Sequence, residues 1–140
     1  MITFANEGVP LPTLDFNRVK DWIIRVAESH GFSTGRLSYL FVGDAEILEA
    51  NRKHLNHDFY TDIITFDYTH RNRIAGDMII SLDTVRSNAE QLEQSYEVEL
   101  LRVIIHGVLH LCGINDKGPG EREIMEDNEN AALRLWKDEV

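Results

Sequence analysis

The run from Val98 to Cys112 places Val98, Leu101, Val103, Ile104, Ile105, Val108, Leu109, Leu111 and Cys112 around nearly the whole circumference of a helix. A helix that is apolar on every side has to be enclosed, so the rest of the chain must wrap it. Its limits are written in the same stretch. Ser95 is placed to cap the first turn, where Glu97 and Glu99 favour the positive end of the helix dipole, and Gly113 stops the last turn.

The elements available for wrapping read as follows. Ile2 to Ala5 is a short β-prone run, and Gly8 to Pro12 is turn material. Thr13 is expected to cap a helix whose apolar stripe is Phe16, Val19, Ile23, Val26 and Ala27. Arg36 to Val42 reads as a strand, and Asp44 as the cap of a second helix carrying Ile47, Leu48, Asn51 and Leu55. Thr61 to Phe66 and Arg73 to Ile80 are β-branched-rich runs joined by Asp67 to Asn72, a hairpin pattern. From Ser81 the pattern is helical to the end, with stripes at Leu82, Val85, Ala89 and Leu92 and, after Gly118-Pro119-Gly120, at Ile124, Met125, Ala131, Ala132, Leu135 and Trp136. The expected fold is a single α+β domain over residues 1–140, a small mixed sheet packed against helices around the buried central helix.

Composition narrows the function. With 140 residues, 43% hydrophobic and 27% charged, the chain is an ordinary globular one. Its formal net charge of −10 argues against a protein that coats nucleic acid or an anionic membrane surface. The single cysteine, Cys112, excludes an internal disulfide and a zinc site built from several thiolates. No apolar run of about 18 residues is present, and Met1 to Pro10 lacks the basic and apolar regions of a signal peptide. A soluble cytoplasmic protein without membrane partners is expected.

His106 and His110 are the polar intrusions in the most apolar helix. Four residues apart, they leave the same face, and burying both rings is costly unless their nitrogens find partners. A divalent metal is one such partner; hydrogen bonding within the core or at a subunit contact is the other. Gly113 lets the chain reverse three residues after His110, which brings Asp116 within reach of both rings. Two imidazoles and a carboxylate form a three-ligand set with a position left for water, the pattern of catalytic zinc. The spacing also outlines the long metzincin protease motif, but Gly107 stands where that motif needs its glutamate base.

The string His106-Gly107-Val108-Leu109-His110-Leu111-Cys112-Gly113 with its acidic turn resembles the signature of the YbeY family of endoribonucleases. Thr61-Asp62-Ile63-Ile64-Thr65-Phe66, Gly76-Asp77-Met78-Ile79-Ile80-Ser81, the segment Leu82 to Ala89 and the pair Leu55-Asn56 are similar to further motifs of that family, in order, across roughly residues 45 to 130. The resemblance implies a zincin-like, zinc-dependent endoribonuclease domain with one Zn²⁺ per chain, specific for single-stranded RNA. It further implies a role in ribosomal RNA processing, at the 3′ end of the small-subunit 16S RNA, and in ribosome quality control, with ribosomal RNA and the ribosome or its subunits as partners. It makes His106 and His110 metal ligands and Asp116 the third, where most members carry histidine. The Arg that members usually carry after the Leu-Asn pair is missing here, leaving His57, Arg71 and Arg73 as candidate RNA contacts.

The residues themselves identify no general base. Asp62, Asp77 and Glu121 are the candidate carboxylates, each with an alternative reading as a structural or capping group. A non-catalytic ribosome-assembly factor with a structural metal is the second functional class, and a metzincin-like protease a third. The acidity is also uneven: residues 82–140 carry a net −7 and residues 1–81 a net −3. Within the first part, Tyr68 to Asn72 and Arg73 contain no acid, so RNA contact is expected on the strand-and-hairpin side rather than along the acidic final helix.

Overall fold

The computed structural model describes residues 1–55 and 61–138. In chain order it contains β1 (Ile2–Asn6), α1 (Phe16–Ser29), β2 (Ser33–Val42), α2 (Asp44–Leu55), β3 (Ile63–Asp67), β4 (Arg73–Ser81), α3 (Leu82–Gln91), α4 (Tyr96–Leu111) and α5 (Glu121–Asp138). The four strands form one mixed sheet in the order β1-β2-β4-β3. β1 and β2 run parallel, β2 and β4 run parallel, and β3 returns antiparallel to β4 through the expected hairpin. This is the α+β architecture that the sequence leads one to expect.

The central helix is α4, and the sheet is its floor. Along β4, Ile74, Met78 and Ile80 are fully buried, as are Leu37, Tyr39 and Phe41 along β2. The alternating residues Ser38, Leu40, Asp77 and Ile79 lie on the opposite face, where α2 covers one end through Ile47 against Val42 and Ile64. On the α4 side, α1, α3 and α5 complete the enclosure. Two aromatic side chains show how tightly this works. The Tyr39 hydroxyl donates to the Ile104 carbonyl of α4 at 3.0 Å, and Trp22 Nε1–H donates to the Ala132 carbonyl of α5 at 2.8 Å. Buried polar atoms on large rings thus find backbone acceptors, and the same bonds fix the position of the helices.

Several local expectations need correction. The cap of α1 is Asp15, not Thr13; its carboxylate accepts from the Arg18 N–H, and aspartate at the adjoining position makes a stronger cap. Asp44 is the first residue of α2 rather than its capping side chain. Its carboxylate accepts the hydroxyls of Ser81 and Thr84, both at 2.6 Å, while Asp83 accepts the Asp44 N–H, so α2 and α3 exchange carboxylates at their starts. β2 begins at Ser33, three residues early, because Ser33 N–H pairs with the Asn72 carbonyl and an irregularity between Thr34 and Leu37 absorbs Gly35. Leu92, Ile124 and Ala131 are exposed, whereas Met125 and Ala132 are buried as expected, joined by Leu133, with Leu135 and Trp136 half-buried.

α4 packs closely on the sheet at Gly76 on β4. A Cβ there would stand 2.6 Å from the Phe66 carbonyl oxygen on β3 and 3.2 Å from a methyl group of Leu111. The obstacle includes backbone held in the β3–β4 ladder, which cannot swing aside. Gly76→Ala should therefore destabilise the fold by about 1–3 kcal/mol, read as a lower urea midpoint with unchanged m-value.

Candidate metal centre

The residues gathered around His106 come from three places. α4 supplies Glu99, Arg102, His106 and His110 from one strip of its surface. The turn after it supplies Asp116. α5, running back along α4, supplies Glu129 and Asn130. The turn works as the glycine implied. Gly113 adopts φ +90°, its N–H bonds to the His110 carbonyl at 3.0 Å, and the Ile114 N–H bonds to the Leu109 carbonyl at 3.1 Å. This paired closure ends the helix and turns the chain back over the same face.

The result sets His106 between two carboxylates. Its Nε2 faces Asp116 Oδ2 at 3.4 Å, and its Nδ1 lies 2.7 Å from Glu129 Oε2. In the tautomer whose Nδ1–H donates to Glu129, Nε2 is the nitrogen left facing Asp116. Burial works against the charged form of this imidazole. The hydrogen bond and charge of Glu129, with the carboxylates of Asp116 and Asp62, outweigh it and hold His106 above the usual histidine range. Beside them, burial pushes the Asp62 carboxyl above its ordinary range, offset only in part by His106.

These groups line an open cleft of about 560 Å³, walled by Asp62, Glu99, Arg102, His106, Asp116 and Glu129. His110 is half-buried one helical turn beyond His106, and its side chain forms no hydrogen bond or ion pair with another described residue. Among the described residues, no three His, Cys, Asp or Glu side chains are gathered as a preformed cage for an ion. The pair that is in place nevertheless has the right donor separation: atoms bound to one tetrahedral zinc at ~2.0–2.1 Å lie about 3.3 Å apart. The donor set, two imidazoles and a carboxylate with a second carboxylate behind the first imidazole, suits the same ion.

The other candidates separate. Of the three carboxylates considered as bases, Asp62 alone lines the cleft; Asp77 lies on the far face of the sheet, and Glu121 starts α5. Arg71 and Arg73 are exposed at the hairpin turn and do not line the cleft, whose cations are Arg102 and Arg122. His57 lies outside the described residues. Gly107 faces the sheet, where a Cβ would sit 3.1 Å from Ile63 Cδ1 and from Met78 Cγ, so that position does not present a carboxylate to the cleft.

Glu129 is the residue that sequence reasoning missed, having counted it with the solvated acids of the last helix. It is 6% exposed. A signal was present: Met125, Glu129, Ala132 and Trp136 follow the four-three-four spacing of a buried stripe, with one carboxylate at a core position.

A family model described as Endoribonuclease YbeY matches residues 2–137. The chain is 59% identical over 138 residues to the Endoribonuclease YbeY of Parabacteroides distasonis, covering 99% of this chain and 97% of that one. To its counterpart in Phocaeicola vulgatus it is 61% identical over 135 residues, covering 96% and 98%. The solution structure of TM1509 from Thermotoga maritima superposes with a TM-score of 0.68 at 24% identity, over 99% of this chain and 93% of that one, which speaks for the fold. A match across nearly the whole length, by family model and by relatives of about 60% identity, makes this chain a member of the YbeY endoribonuclease family.

Proposed function

We propose that this protein is a zinc-dependent endoribonuclease that cleaves single-stranded ribosomal RNA, acting in 16S 3′-end maturation and ribosome quality control in the bacterial cytoplasm, with the ribosome or its subunits as partner. The observation that carries the reading is the His106 imidazole, held from behind by Glu129 and facing Asp116 at 3.4 Å across an open cleft. His106, His110 and Asp116 would hold the metal. Bound there, zinc supplies a Lewis acid for a phosphoryl oxygen and lowers the pKa of its water from ~15.7 towards ~7.

The chain's own groups have separate tasks. Glu129 accepts the Nδ1 proton, fixing both the tautomer and the plane of His106. Asp116 brings a negative charge that a third histidine would not, which makes the site more attractive to a hard divalent cation. Asp62, whose carboxyl burial pushes above its ordinary range, is the carboxyl in the cleft suited to hold or release a proton near the scissile phosphate. Arg122, at the rim and largely exposed, is free to turn from Glu126 toward a phosphate.

Two measurements test this. Purified protein should carry about one zinc per chain by elemental analysis and cut single-stranded ribosomal RNA. His110→Ala and a chelator should each abolish the cutting, the chelator reversibly. Equal cutting by wild type and His110→Ala would mark the activity as contamination, and RNA bound but uncut would favour the assembly-factor reading. Separately, Glu129→Gln should weaken zinc about 10–100-fold in a chelator competition while leaving His106, His110 and Asp116 in place.

A further inference from the structure

We infer that Arg102 is a positioning residue for His106, acting through Glu129, and so a determinant of how this chain holds its metal. The inference rests on the metal reading above and deepens it. Arg102 lies one helical turn before His106 on the same strip of α4. The Glu129 carboxylate is divided between them: Oε1 accepts from the Arg102 guanidinium at 3.0 Å, and Oε2 meets His106 Nδ1 at 2.7 Å. A second guanidinium nitrogen donates to Asn130 Oδ1 at 3.3 Å. The third, Nε, is buried without a hydrogen bond among the described residues and stands 3.6 Å from Glu99 Oε1, which is itself held by Gln94 at 2.6 Å. Arg102 is thus fixed on three sides.

The arrangement is costly for packing alone. A helix buried on its other faces by Leu, Ile and Val carries a guanidinium with an unsatisfied nitrogen, where an apolar side chain would bury more simply. What the guanidinium supplies is charge and geometry. Glu129 is buried and has Asp62, Glu99 and Asp116 around the same cleft. Without the guanidinium, Oε1 loses the partner that fixes it, and a carboxylate that turns outward no longer serves as the acceptor for Nδ1–H. Arg102 keeps Glu129 in place by holding Oε1. The Nδ1 proton then stays on the back of the ring, and Nε2 is the nitrogen left facing Asp116. A chain whose third ligand is a carboxylate has one more negative charge in the cleft than a three-histidine set, and Arg102 is the half-buried cation that balances it.

The test uses the full chain, with and without zinc, as wild type, Arg102→Met and Arg102→Lys. Two readouts are taken: the His106 Nδ1–H proton resonance with its exchange rate by NMR, and zinc affinity by chelator competition. In wild type the resonance should be shifted downfield and exchange slowly even in metal-free protein. Arg102→Met should lose it or exchange it much faster and bind zinc about 10–100-fold more weakly. Arg102→Lys, which restores charge but not the fork, should recover part of both. A folded Arg102→Met with wild-type resonance and zinc affinity overturns the inference while leaving the metal site standing. If wild type takes up no zinc, the metal reading fails; the metal-free resonance still decides whether Arg102 holds His106. Should Arg102→Met fail to fold by circular dichroism, Arg102→Lys carries the decision: wild-type exchange and affinity in that variant would overturn the role of the fork.

Discussion

The structure depends on enclosing α4. Because its apolar residues leave it only one polar strip to turn to water, the sheet must form its floor and α1, α3 and α5 must close over it. The register of the sheet follows from that demand. Leu37, Tyr39 and Phe41 on β2 and Ile74, Met78 and Ile80 on β4 alternate onto the α4 side, and a shift by one residue would send Ser38 and Asp77 into the core. Gly76 and Gly107 mark where backbone and helix come too close for a larger residue without movement of the neighbours. The fold is therefore a solution to one helix's solvation problem.

That enclosure gives the candidate site its rigidity. The single polar strip on α4, Glu99, Arg102, His106 and His110, is cut into an otherwise dry surface, so each group must be matched by a neighbour from outside the helix. Gln94 meets Glu99, Glu129 meets both Arg102 and His106, and Asp116 is turned back to face Nε2. Removing one member leaves the next unpaired, which is how a site on a packed helix keeps its side chains in one arrangement. The open side remains the cleft, where only ligand or water completes the set.

The same contrast decides what was legible beforehand. α4, its caps and the histidine pair could be read because polarity inside an apolar run is a strong signal, and Asp116 followed from the glycine that ends the helix. The hairpin was legible from its β-branched runs and turn residues. The start of β2 was not, because Ser33 and Gly35 beside Thr34 carry no run of strand formers, and the segment is held by pairing to Asn72 and β4. Glu129 and Arg102 were obscured by abundance. One is among many acids in α5 and the other is a charge near the start of α4, and only the phase of each against its helix's apolar stripe sets it apart.

Charge completes the account, in a direction opposite to the first impression. A net −10 appears to repel a polyanion, and the cleft itself has Asp62, Glu99, Asp116, Glu126 and Glu129 against Arg102 and Arg122. Arg102 is committed to Glu129, and Arg122 is shared with Glu126. Such a cleft has little to offer a bare phosphate, but it concentrates a divalent cation. On the proposed reading, the cation is what converts an acidic cleft into a phosphate site, and the protein then needs few contacts of its own with the strand. Few phosphate contacts mean a shallow dependence on salt and modest affinity for free RNA. Selectivity must then come from what presents the strand: a large partner that holds a single-stranded end at the cleft supplies the local concentration that this surface, by its charge, does not.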